Sequence, residues 1–453
     1  MASRKDQLHS YQFMLQRAIS ALIMRETDPA QSPLRRGVGA AFVGVMVTVI
    51  VAAVFGIYGL LTKTGSAKWK VEAAVVVEKE TGAAFVYREG TLVPAANYTS
   101  ALLVSGQSPP ASFVVPRNSL RDVPRAVARG IEGAPASLPT SKSLLRGPWA
   151  MCAVPARTAS GQDVLVSVLS VGSPAAGAPV GDGGLYVTAS GGDYLVWHGY
   201  RYRLSGARVP KALFPGGSRP IEVGSAWLDT LPEGDAIREI TIPDDGERSD
   251  AVAGHRNGEV VTDRNVNYLV LDNGLARLTD LQLDLLRAAR TVNPVSMQPD
   301  EIADAPESKS LASDSPAAQQ APARTPPAVD VGAGSGPCVT FAGDSPVVSV
   351  ASGGDPTAGT PTGSRTADGE VLADRVAVPG GSVAVVRERE SGAYALVTDG
   401  GVRYAVESAE TLGVLGFDAS GAVTLPAAVL HRVPAGPALT RAGADRPVST
   451  GGR

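Results

Sequence analysis

The sequence contains little of what metal, nucleotide or hydrolytic chemistry requires. Its 453 residues include four histidines and two cysteines, and no histidine lies near a cysteine or near another histidine. A zinc site therefore has no ligand spacing to support it. No Gly-x4-Gly-Lys-Ser/Thr segment is present to hold a nucleotide phosphate. We expect no catalytic residue, no metal and no cofactor, and enzymatic activity stays an open question that the sequence disfavours.

Charge and aromatic residues are also scarce. The formal net charge is -3, which removes the electrostatic argument for nucleic-acid binding. Aromatic residues make up 5% of the chain, whereas 51 glycines and 34 prolines are spread along it. This balance is typical of many short strands joined by turns, and the length predicts two or more modules.

One long segment carries no charge at all. It is GVGAAFVGVMVTVIVAAVFGIYGLLT, the 26 residues between Arg36 and Lys63. About 20 apolar residues cross the hydrocarbon core of a bilayer as a helix, so this segment predicts a transmembrane helix over 37–62. A cleaved signal peptide is the alternative, because small residues follow the run. The length of the run and the 36 residues before it favour a signal anchor.

Residues 1–36 are expected to form a cytoplasmic amphipathic helix. Its apolar stripe consists of Leu8, Tyr11, Leu15, Ile19 and Leu22. We expect this stripe to dock on the inner leaflet of the membrane or on a partner protein. Basic residues stand on both sides of the span, so the positive-inside rule favours a cytoplasmic N-terminus by a small margin.

Small residues recur every four positions within the predicted span. They are Ala40, Gly44, Thr48, Ala52 and Gly56. Small side chains at this spacing allow two helices to approach closely in the membrane. The sequence therefore predicts helix packing along this ridge.

The two cysteines, Cys152 and Cys338, both follow the span and lie 186 positions apart. In a chain with a membrane-export signal, such a pair is most simply a disulfide in an oxidising compartment. Two buried, unpaired thiols are the alternative. A disulfide would place the residues after the span outside the cytoplasm, which favours the same orientation.

Beyond Lys70 the sequence repeats a short pattern. An aromatic-led strand, a glycine turn and a second strand occur in FVYREGTLV, YLVWHGYRYRL, YLVLDNGLARLT and YALVTDGGVRYAV. The glycines that align these segments are Gly90, Gly199, Gly274 and Gly400. Leucines follow three of the turns, so each unit predicts a hairpin and then a short helix. The candidate N-cap residues of these helices are Asn97 or Thr99, Thr279 or Asp280, and Ser408. The repeats are predicted at about 73–127, 184–236, 258–292 and 390–437.

A shared phrase, Leu-x-x-Leu/Val-Pro, follows three of the four units. It begins at Leu120, Leu228 and Leu430. We expect a last helical turn whose leucine packs inward and whose proline stops the helix. The third unit lacks the phrase, because there the chain is expected to enter a linker.

The predicted fold is α+β with a mainly β extracytoplasmic domain over 63–440 and a single N-terminal transmembrane helix. Four hairpin-plus-helix repeats surround a central β region, predicted at 143–175 plus 336–389, in which Val383 to Arg389 is expected to be a strand of the central sheet. The proline-rich residues 293–336 predict a disordered linker, and 441–453 predict a disordered tail.

Several segments together resemble a known family. They are SRKDQLHSYQFMLQRAISALIMRETDPAQSPLR, the single span, PWAMC around Cys152, the second cysteine Cys338 after a Pro/Ala-rich insert, and VGSAWLDTLPEGDAI. In their order and spacing they resemble EccB, the membrane-anchored core component of type VII (ESX) secretion systems. The resemblance implies a short cytoplasmic helix, one transmembrane helix and an outer domain of four repeats around a disulfide-held centre. By position, that disulfide would join Cys152 to Cys338.

The resemblance also implies partners. They are the other type VII secretion core membrane proteins, including an FtsK/SpoIIIE-type ATPase, the membrane itself and further copies of the chain. An ATPase activity has been proposed for some relatives, but the missing phosphate loop argues against it here. Gln12 and Gln16 stand where the family pattern leads us to expect arginines.

Two functions compete at this point. The leading hypothesis is a structural subunit of a secretion membrane complex that anchors inner-face partners and assembles or dimerises through its outer repeats. The alternative is a membrane-anchored cell-wall (peptidoglycan) binding protein, with stacking platforms at Tyr194, Trp197, Tyr200 and Tyr202. Ordinary strand packing also explains these aromatic residues.

Overall fold

A computed structural model describes residues 3–24, 33–63, 67–343, 345–366 and 369–448. Its α-helices are α1 (Arg4–Met24), α2 (Pro33–Lys63), α3 (Tyr98–Ser105), α4 (Arg117–Leu120), α5 (Val209–Leu213), α6 (Ser225–Leu228), α7 (Asp280–Ala289), α8 (Pro299–Asp304), α9 (Ala409–Val414), α10 (Ala427–Leu430) and α11 (Arg441–Ala444). Single 3-10 turns lie at Ala67–Trp69, Ser141–Ser143 and Ala419–Gly421.

The strands are short. They are β1 (Val75–Glu78), β2 (Ala84–Arg88), β3 (Thr91–Pro94), β4 (Ser112–Val115), β5 (Trp149–Arg157), β6 (Asp163–Ser170), β7 (Ala178–Pro179), β8 (Leu185–Ala189), β9 (Gly192–Trp197), β10 (Tyr200–Ser205), β11 (Ile221–Glu222), β12 (Ile237–Arg238), β13 (Val260–Asp263), β14 (Val266–Leu271), β15 (Gly274–Arg277), β16 (Val295–Ser296), β17 (Ser335–Phe341), β18 (Val347–Ser352), β19 (Thr360–Pro361), β20 (Arg375–Ala377), β21 (Val383–Glu388), β22 (Tyr394–Thr398), β23 (Arg403–Val406) and β24 (Val423–Leu425).

The chain forms two compact units, 1–70 and 71–453. The first contains α1 and α2. Within α2, the segment Gly37–Tyr58 has a mean hydropathy of 2.6, and none of it is buried in the chain. Among the described residues this is the one helix long and apolar enough to cross a membrane. The second unit, called the body below, contains every strand that the structure describes.

Four of the five sheets in the body share one connectivity. In each, three antiparallel strands follow one another, and a fourth strand returns parallel to the first. These sheets are named sheets 1 to 4 in chain order. Their strand orders are β3-β2-β1-β4, β11-β8-β9-β10, β15-β14-β13-β16 and β23-β22-β21-β24. Sheet 2 has a fifth strand, β12, which pairs with β10. In β8 the side chains alternate between buried and partly exposed, as expected for a strand that covers a core on one face.

A helix connects the third and fourth strands of each of these sheets: α3, α5, α7 and α9. Three of these helices begin at N-cap side chains that are among the candidates predicted from the sequence. The oxygens of Asn97, Thr279 and Ser408 accept backbone N–H groups three residues ahead, at 2.8, 3.2 and 3.1 Å. The predicted turn glycine Gly400 is not the residue with positive φ; its neighbour Gly401 takes that conformation, with φ 72°.

A one-turn helix and a proline complete each sheet. The short helices α4, α6 and α10 end at Leu120, Leu228 and Leu430, all buried, as the closing phrase predicts. The carbonyls of Pro124, Pro232 and Pro434 then accept the N–H of a third-strand residue. Those donors are Leu92, Arg201 and Arg403, at 2.8, 3.0 and 2.8 Å.

The third sheet also has this closing element, contrary to the sequence expectation. There α8 precedes Pro306, whose carbonyl accepts the N–H of Leu275 at 2.8 Å, and Ser308 N donates back to Leu275 O at 2.9 Å. The structure therefore differs from the predicted disordered linker over 293–336, and sheet 3 continues past the predicted boundary at 292. A helix of six residues forms here despite the polar, proline-rich composition, and backbone hydrogen bonds join the segment after it to sheet 3.

The fifth sheet has seven strands in the order β19-β20-β6-β5-β17-β18-β7. It is drawn from two distant stretches of the chain and forms the centre of the body. The strand at Val383–Glu388 is not part of it, because β21 pairs with β22 and β24 in sheet 4. The predicted central region 336–389 therefore ends before β21, and the predicted repeat 390–437 omits its own first strand.

Each sheet shares a hydrophobic core with a neighbouring sheet or with one of its helices. Sheets 1 and 4 share a core that includes helices α3 and α9, and sheet 2 shares a core with α7 of sheet 3. Sheets 2 and 4 both pack on the central sheet around Trp149 and Trp227, which are fully buried. At the end of the body, Ala444 of α11 is buried as well, so the segment up to 448 differs from the predicted disordered tail.

Candidate functional sites in the membrane helix and the body

Within the described side chains of α2, the apolar segment Gly37–Tyr58 is not buried against the rest of the chain. The large side chains from Val38 to Tyr58 are 47% to 70% exposed, so lipid or partner helices must cover them. On this helix lie the predicted packing residues Ala40, Gly44, Thr48, Ala52 and Gly56. A Cβ added at Gly44 or Gly56 would meet nothing within 4 Å, and Thr48 Oγ1 donates to the Gly44 carbonyl at 2.8 Å. The hydroxyl is thereby satisfied within the helix, and the ridge is open to a neighbour.

Helix α1 contains the predicted docking stripe. Leu8, Tyr11 and Leu22 are 58%, 64% and 84% exposed, Leu15 is 43% exposed, and Ile19 is half-buried. Phe13 and Met14 are exposed too, at 59% and 71%, although they lie off the stripe. Sequence periodicity selected one face and so missed these two residues. Apolar contacts are therefore available around much of α1, not along one line alone.

The two cysteines form a disulfide between neighbouring strands of the central sheet. Cys152 of β5 and Cys338 of β17 are directly opposite in the antiparallel register, with an S–S distance of 2.07 Å and Cα atoms 4.1 Å apart. Opposed residues of an antiparallel pair come this close at the non-hydrogen-bonded positions of the ladder. The bond therefore fastens the strand contributed by 149–157 to the strand contributed by 335–341.

A network of ionisable side chains lies where α10 meets sheet 4. His431 Nδ1 is 3.2 Å from Glu370 Oε1, and His431 Nε2 is 3.1 Å from Glu388 Oε1. Both ring nitrogens can donate to these carboxylates only when the imidazole is protonated. In the sequence no cysteine and no other histidine lies near His431, and no pattern marks the two glutamates as its partners. At the matching position of the closing phrase in sheet 2, Asp229 pairs with Arg201.

Two arginines lie on the buried side of this network. Burial lowers the pKa of Arg432, and burial likewise lowers the pKa of Arg403. Each guanidinium is held by backbone carbonyls: Arg403 Nε donates to Val433 O at 3.0 Å, and Arg432 Nε donates to Ala428 O at 3.0 Å. The closing phrases of sheets 2 and 4 meet here, because apolar residues of both phrases lie in one hydrophobic core.

A second ion pair fastens α4 to sheet 1. Arg117 Nε donates to Glu78 Oε1 at 2.8 Å, and the Glu78 side chain is only 4% exposed. Hydrogen bonds from Thr81 and from Arg117 lower the pKa of the Glu78 carboxyl below its ordinary value of 4.5. Glu78 is therefore ionised in the folded protein at neutral pH, and it ties β1 to the closing helix.

The aromatic side chains proposed as glycan platforms lie within the packing of sheet 2. Tyr202 is fully buried in a core, and Trp197, Tyr200 and Tyr194 are partly buried against neighbouring cores. The geometry accounts for these residues by strand packing. In the part of the chain that the structure describes, no three His, Cys, Asp or Glu side chains come together as a metal site would need.

Comparison with known families supplies the identity. Residues 1–448 match the family described as type VII secretion system ESX-1, transport TM domain B, EccB. The chain belongs to the EccB family of type VII secretion systems. It is 28% identical over 326 residues to the ESX-2 secretion system ATPase EccB2 of Mycobacterium tuberculosis, strain CDC 1551 / Oshkosh. That alignment covers 68% of this chain and 64% of the relative, so it spans less than two thirds of the relative's length.

Other relatives cover more of the chain. The ESX-3 secretion system ATPase EccB3 of Mycolicibacterium smegmatis, strain ATCC 700084 / mc(2)155, is 26% identical, and the alignment covers 96% of this chain and 89% of that protein. The EccB3 dimer from the ESX-3 core complex has a similar fold, with a TM-score of 0.62, 26% identity, and coverage of 82% of this chain and 100% of that one.

A chain of the intact ESX-5 inner membrane complex shares the fold with a TM-score of 0.63 at 22% identity, over 100% of this chain and 97% of that one. These similarities support the mainly β fold with one apolar N-terminal helix. Together with α2, family membership identifies this chain as a membrane-anchored protein.

Proposed function

We propose that this chain is a structural subunit of a type VII secretion membrane complex. The observation that carries the proposal is the family match over 1–448, which takes in α1, the apolar helix α2 and the body. The similar folds are described as part of an ESX-5 inner membrane complex and as an EccB3 dimer from the ESX-3 core complex. This likeness supports association with other core membrane proteins and with copies of the chain itself. We propose that the partners include an FtsK/SpoIIIE-type ATPase, as the sequence resemblance implies.

The proposed orientation has α1 in the cytoplasm and the body outside. A disulfide between Cys152 and Cys338 supports it, because such bonds persist in oxidising compartments. The exposed apolar residues of α1 would then contact inner-face partners, and the small-residue ridge of α2 would contact helices in the membrane. The relatives' names include the word ATPase. The proposal gives this chain no nucleotide role, since its sequence has no phosphate-binding loop.

The experiment is purification of the tagged full chain from membranes in mild detergent, followed by identification of the proteins that accompany it. We expect the other core membrane proteins of the secretion system to co-purify with the unchanged chain. The double variant Leu8→Asp/Leu15→Asp should lose its inner-face partners while staying in the membrane, because charges on the exposed stripe oppose burial.

The matched control adds the same two charges at exposed polar positions of α1, as Ser10→Asp/Gln16→Asp. It should keep the partners. Recovery of the unchanged chain as a lone monomer that sediments with peptidoglycan would contradict the proposal and favour the cell-wall alternative. Equal loss in both double variants would contradict the docking role of the stripe.

Orientation has its own test, because it could fail while complex formation holds. A protease added to intact spheroplasts should remove the body and leave a membrane-protected fragment that contains α1 and α2. A body that is digested only after the membrane is opened would place it in the cytoplasm.

A further inference from the structure

A large open cavity lies on sheet 2 of the body. Its volume is about 730 Å³, within the range of ligand-binding clefts. The turn between β8 and β9, the end of β10, helix α5 and the loop that follows α5 form its walls. The proposed membrane-complex role uses none of these residues.

Three cationic side chains line this cavity: Arg203, Lys211 and Arg219. All three are exposed, and no described residue of the chain forms an ion pair with any of them. Nearby Arg208 lies outside the lining and is paired with Glu239 at 3.4 Å. Unpaired cations that converge on one concave surface create a local positive potential that attracts anions.

The floor of the cavity is aromatic. The rings of Tyr186 and Phe214 stack with centroids 4.6 Å apart and planes 10° apart, and Pro210 and Pro220 also line the cavity. This surface can bury an apolar or aromatic side chain of a ligand. The cavity therefore combines anion recognition with an apolar seat.

One carboxylate, Asp193, is part of the lining. Its Oδ2 accepts the Tyr186 hydroxyl at 2.9 Å, and burial together with this bond raises the pKa of Tyr186 to about 12. The hydroxyl therefore keeps its proton and holds Asp193 at the edge of the floor. Asp193 offsets part of the positive potential, so its removal should strengthen anion binding.

We propose that this cavity, named the basic cleft, binds an acidic peptide segment. Arginine side chains grip carboxylates through two parallel N–H bonds, and Lys211 supplies a further positive charge. The stacked floor receives an apolar side chain of the same segment. A peptide suits the basic cleft better than a phosphate polymer, because a peptide presents carboxylates and apolar side chains within a few residues of each other.

The test is a binding titration with the detergent-solubilised full chain and a fluorescein-labelled peptide of alternating Glu and Trp. We expect saturable binding that weakens at least tenfold in Arg203→Gln/Lys211→Gln/Arg219→Gln. The matched control, Lys142→Gln/Arg277→Gln/Lys309→Gln, removes three exposed charges outside the cleft and should bind as the unchanged chain does.

A gain of affinity separates cleft binding from loss of folding. Asp193→Asn should bind the acidic peptide several-fold more tightly and should leave binding of a Lys/Trp peptide no stronger. The proposal is overturned if no saturable binding occurs, if both triple variants lose affinity equally, or if polyphosphate binds more tightly than the peptide.

Discussion

Gly436 and Gly234 of the closing phrases stand where a side chain would collide with a tyrosine. A Cβ built at Gly436 would overlap the ring of Tyr404, and one at Gly234 would overlap Tyr202. Each glycine N–H donates to the residue just before that tyrosine, at 2.8 and 2.9 Å. Glycine is therefore required for space here, because the strand and the closing phrase are joined by backbone hydrogen bonds.

Sheets 1 and 3 have smaller residues at the matching strand position and tolerate a side chain in the phrase. In sheet 1 the pair is Val93 and Ala126, and in sheet 3 it is Ala276 and Ser308, placed by the equivalent N–H bonds to Leu92 and Leu275. The closing phrase therefore has a glycine in sheets 2 and 4, where the third strand has a tyrosine at the matching position, and a larger residue in sheets 1 and 3.

This pairing can be tested by a double-mutant cycle. Gly436→Ala should lower the free energy of unfolding by about 1–3 kcal/mol through overpacking. Tyr404→Val alone removes buried ring area and should also destabilise the body. In the variant Gly436→Ala/Tyr404→Val, the alanine should lower the free energy of unfolding much less than it does when Tyr404 is present. Chemical unfolding measures these free energies. Additive losses would show that the ring does not impose the glycine.

Glu78 predicts an acid dependence of stability. Its pKa is lowered in the folded protein, chiefly by the Thr81 and Arg117 hydrogen bonds, so its stabilising contribution is fully present above the unfolded value of 4.5. That contribution should disappear as the pH falls through the lower folded value. In Glu78→Gln the chain should be less stable at neutral pH and should lose less stability on acidification.

Thermal unfolding between pH 7 and pH 3 measures both effects. Glu89→Gln is the control, because Glu89 is exposed and its side chain makes no hydrogen bond or ion pair within the described part of the chain. A Glu78→Gln curve parallel to that of the unchanged chain would contradict the assignment.

At this scale the sequence predicts residues whose role is local. Residue type and position identify Ser408 as an N-cap and limit the other two caps to neighbouring pairs that include Asn97 and Thr279, because a cap depends on a few neighbouring atoms. The role of Gly436 does not follow, since the tyrosine that excludes a side chain is 32 positions away and reaches it only in the folded sheet. The two glutamates of His431 are distant in sequence for the same reason.

Among the secondary-structure elements, sequence patterns identify only three of the four short closing helices. Three are marked by a leucine and a proline, whereas α8 has Ile302 and Ala305 before Pro306 and lies in a polar, proline-rich stretch. Composition alone favours disorder for such a segment. What orders it is the backbone pairing of Leu275 with Pro306 and Ser308, which no local pattern encodes.

Hydrogen exchange tests this closing element directly. The amides of Leu275 and Ser308 are bonded in the structure, as are those of Arg403 and Gly436 in sheet 4. Because a bonded amide exchanges only when its hydrogen bond opens, we expect peptides that cover 273–277 and 305–310 to be protected about as strongly as those covering the sheet 4 pair. Exchange of 305–310 at the rate of a free chain would favour the disordered linker.

On the scale of the whole molecule, the disulfide divides the body by sequence. The 186-residue interval between Cys152 and Cys338 contains all of sheets 2 and 3, whereas sheets 1 and 4 lie outside it. The central sheet takes strands from both ends of this interval. The sequence predicts this pairing because two cysteines allow one disulfide, yet it does not predict which strands meet there.

Removal of the bond should therefore act on the whole body. Cys152→Ser/Cys338→Ser should lower the free energy of unfolding by at most about 5 kcal/mol, the chain-entropy value for so long a loop. Without reductant, the variant should unfold at lower denaturant than the unchanged chain. Reductant should shift only the unchanged chain. Equal midpoints for both proteins under oxidising conditions would contradict a formed disulfide.

The same disulfide determines the outcome of a proteolytic cut in the body. A protease that nicks the backbone once between sheets 2 and 3 cuts the polypeptide but leaves its two fragments tethered at the central sheet. Such a clipped molecule would still migrate as one species until a reducing agent is added, and its severed halves could not diffuse away from the membrane.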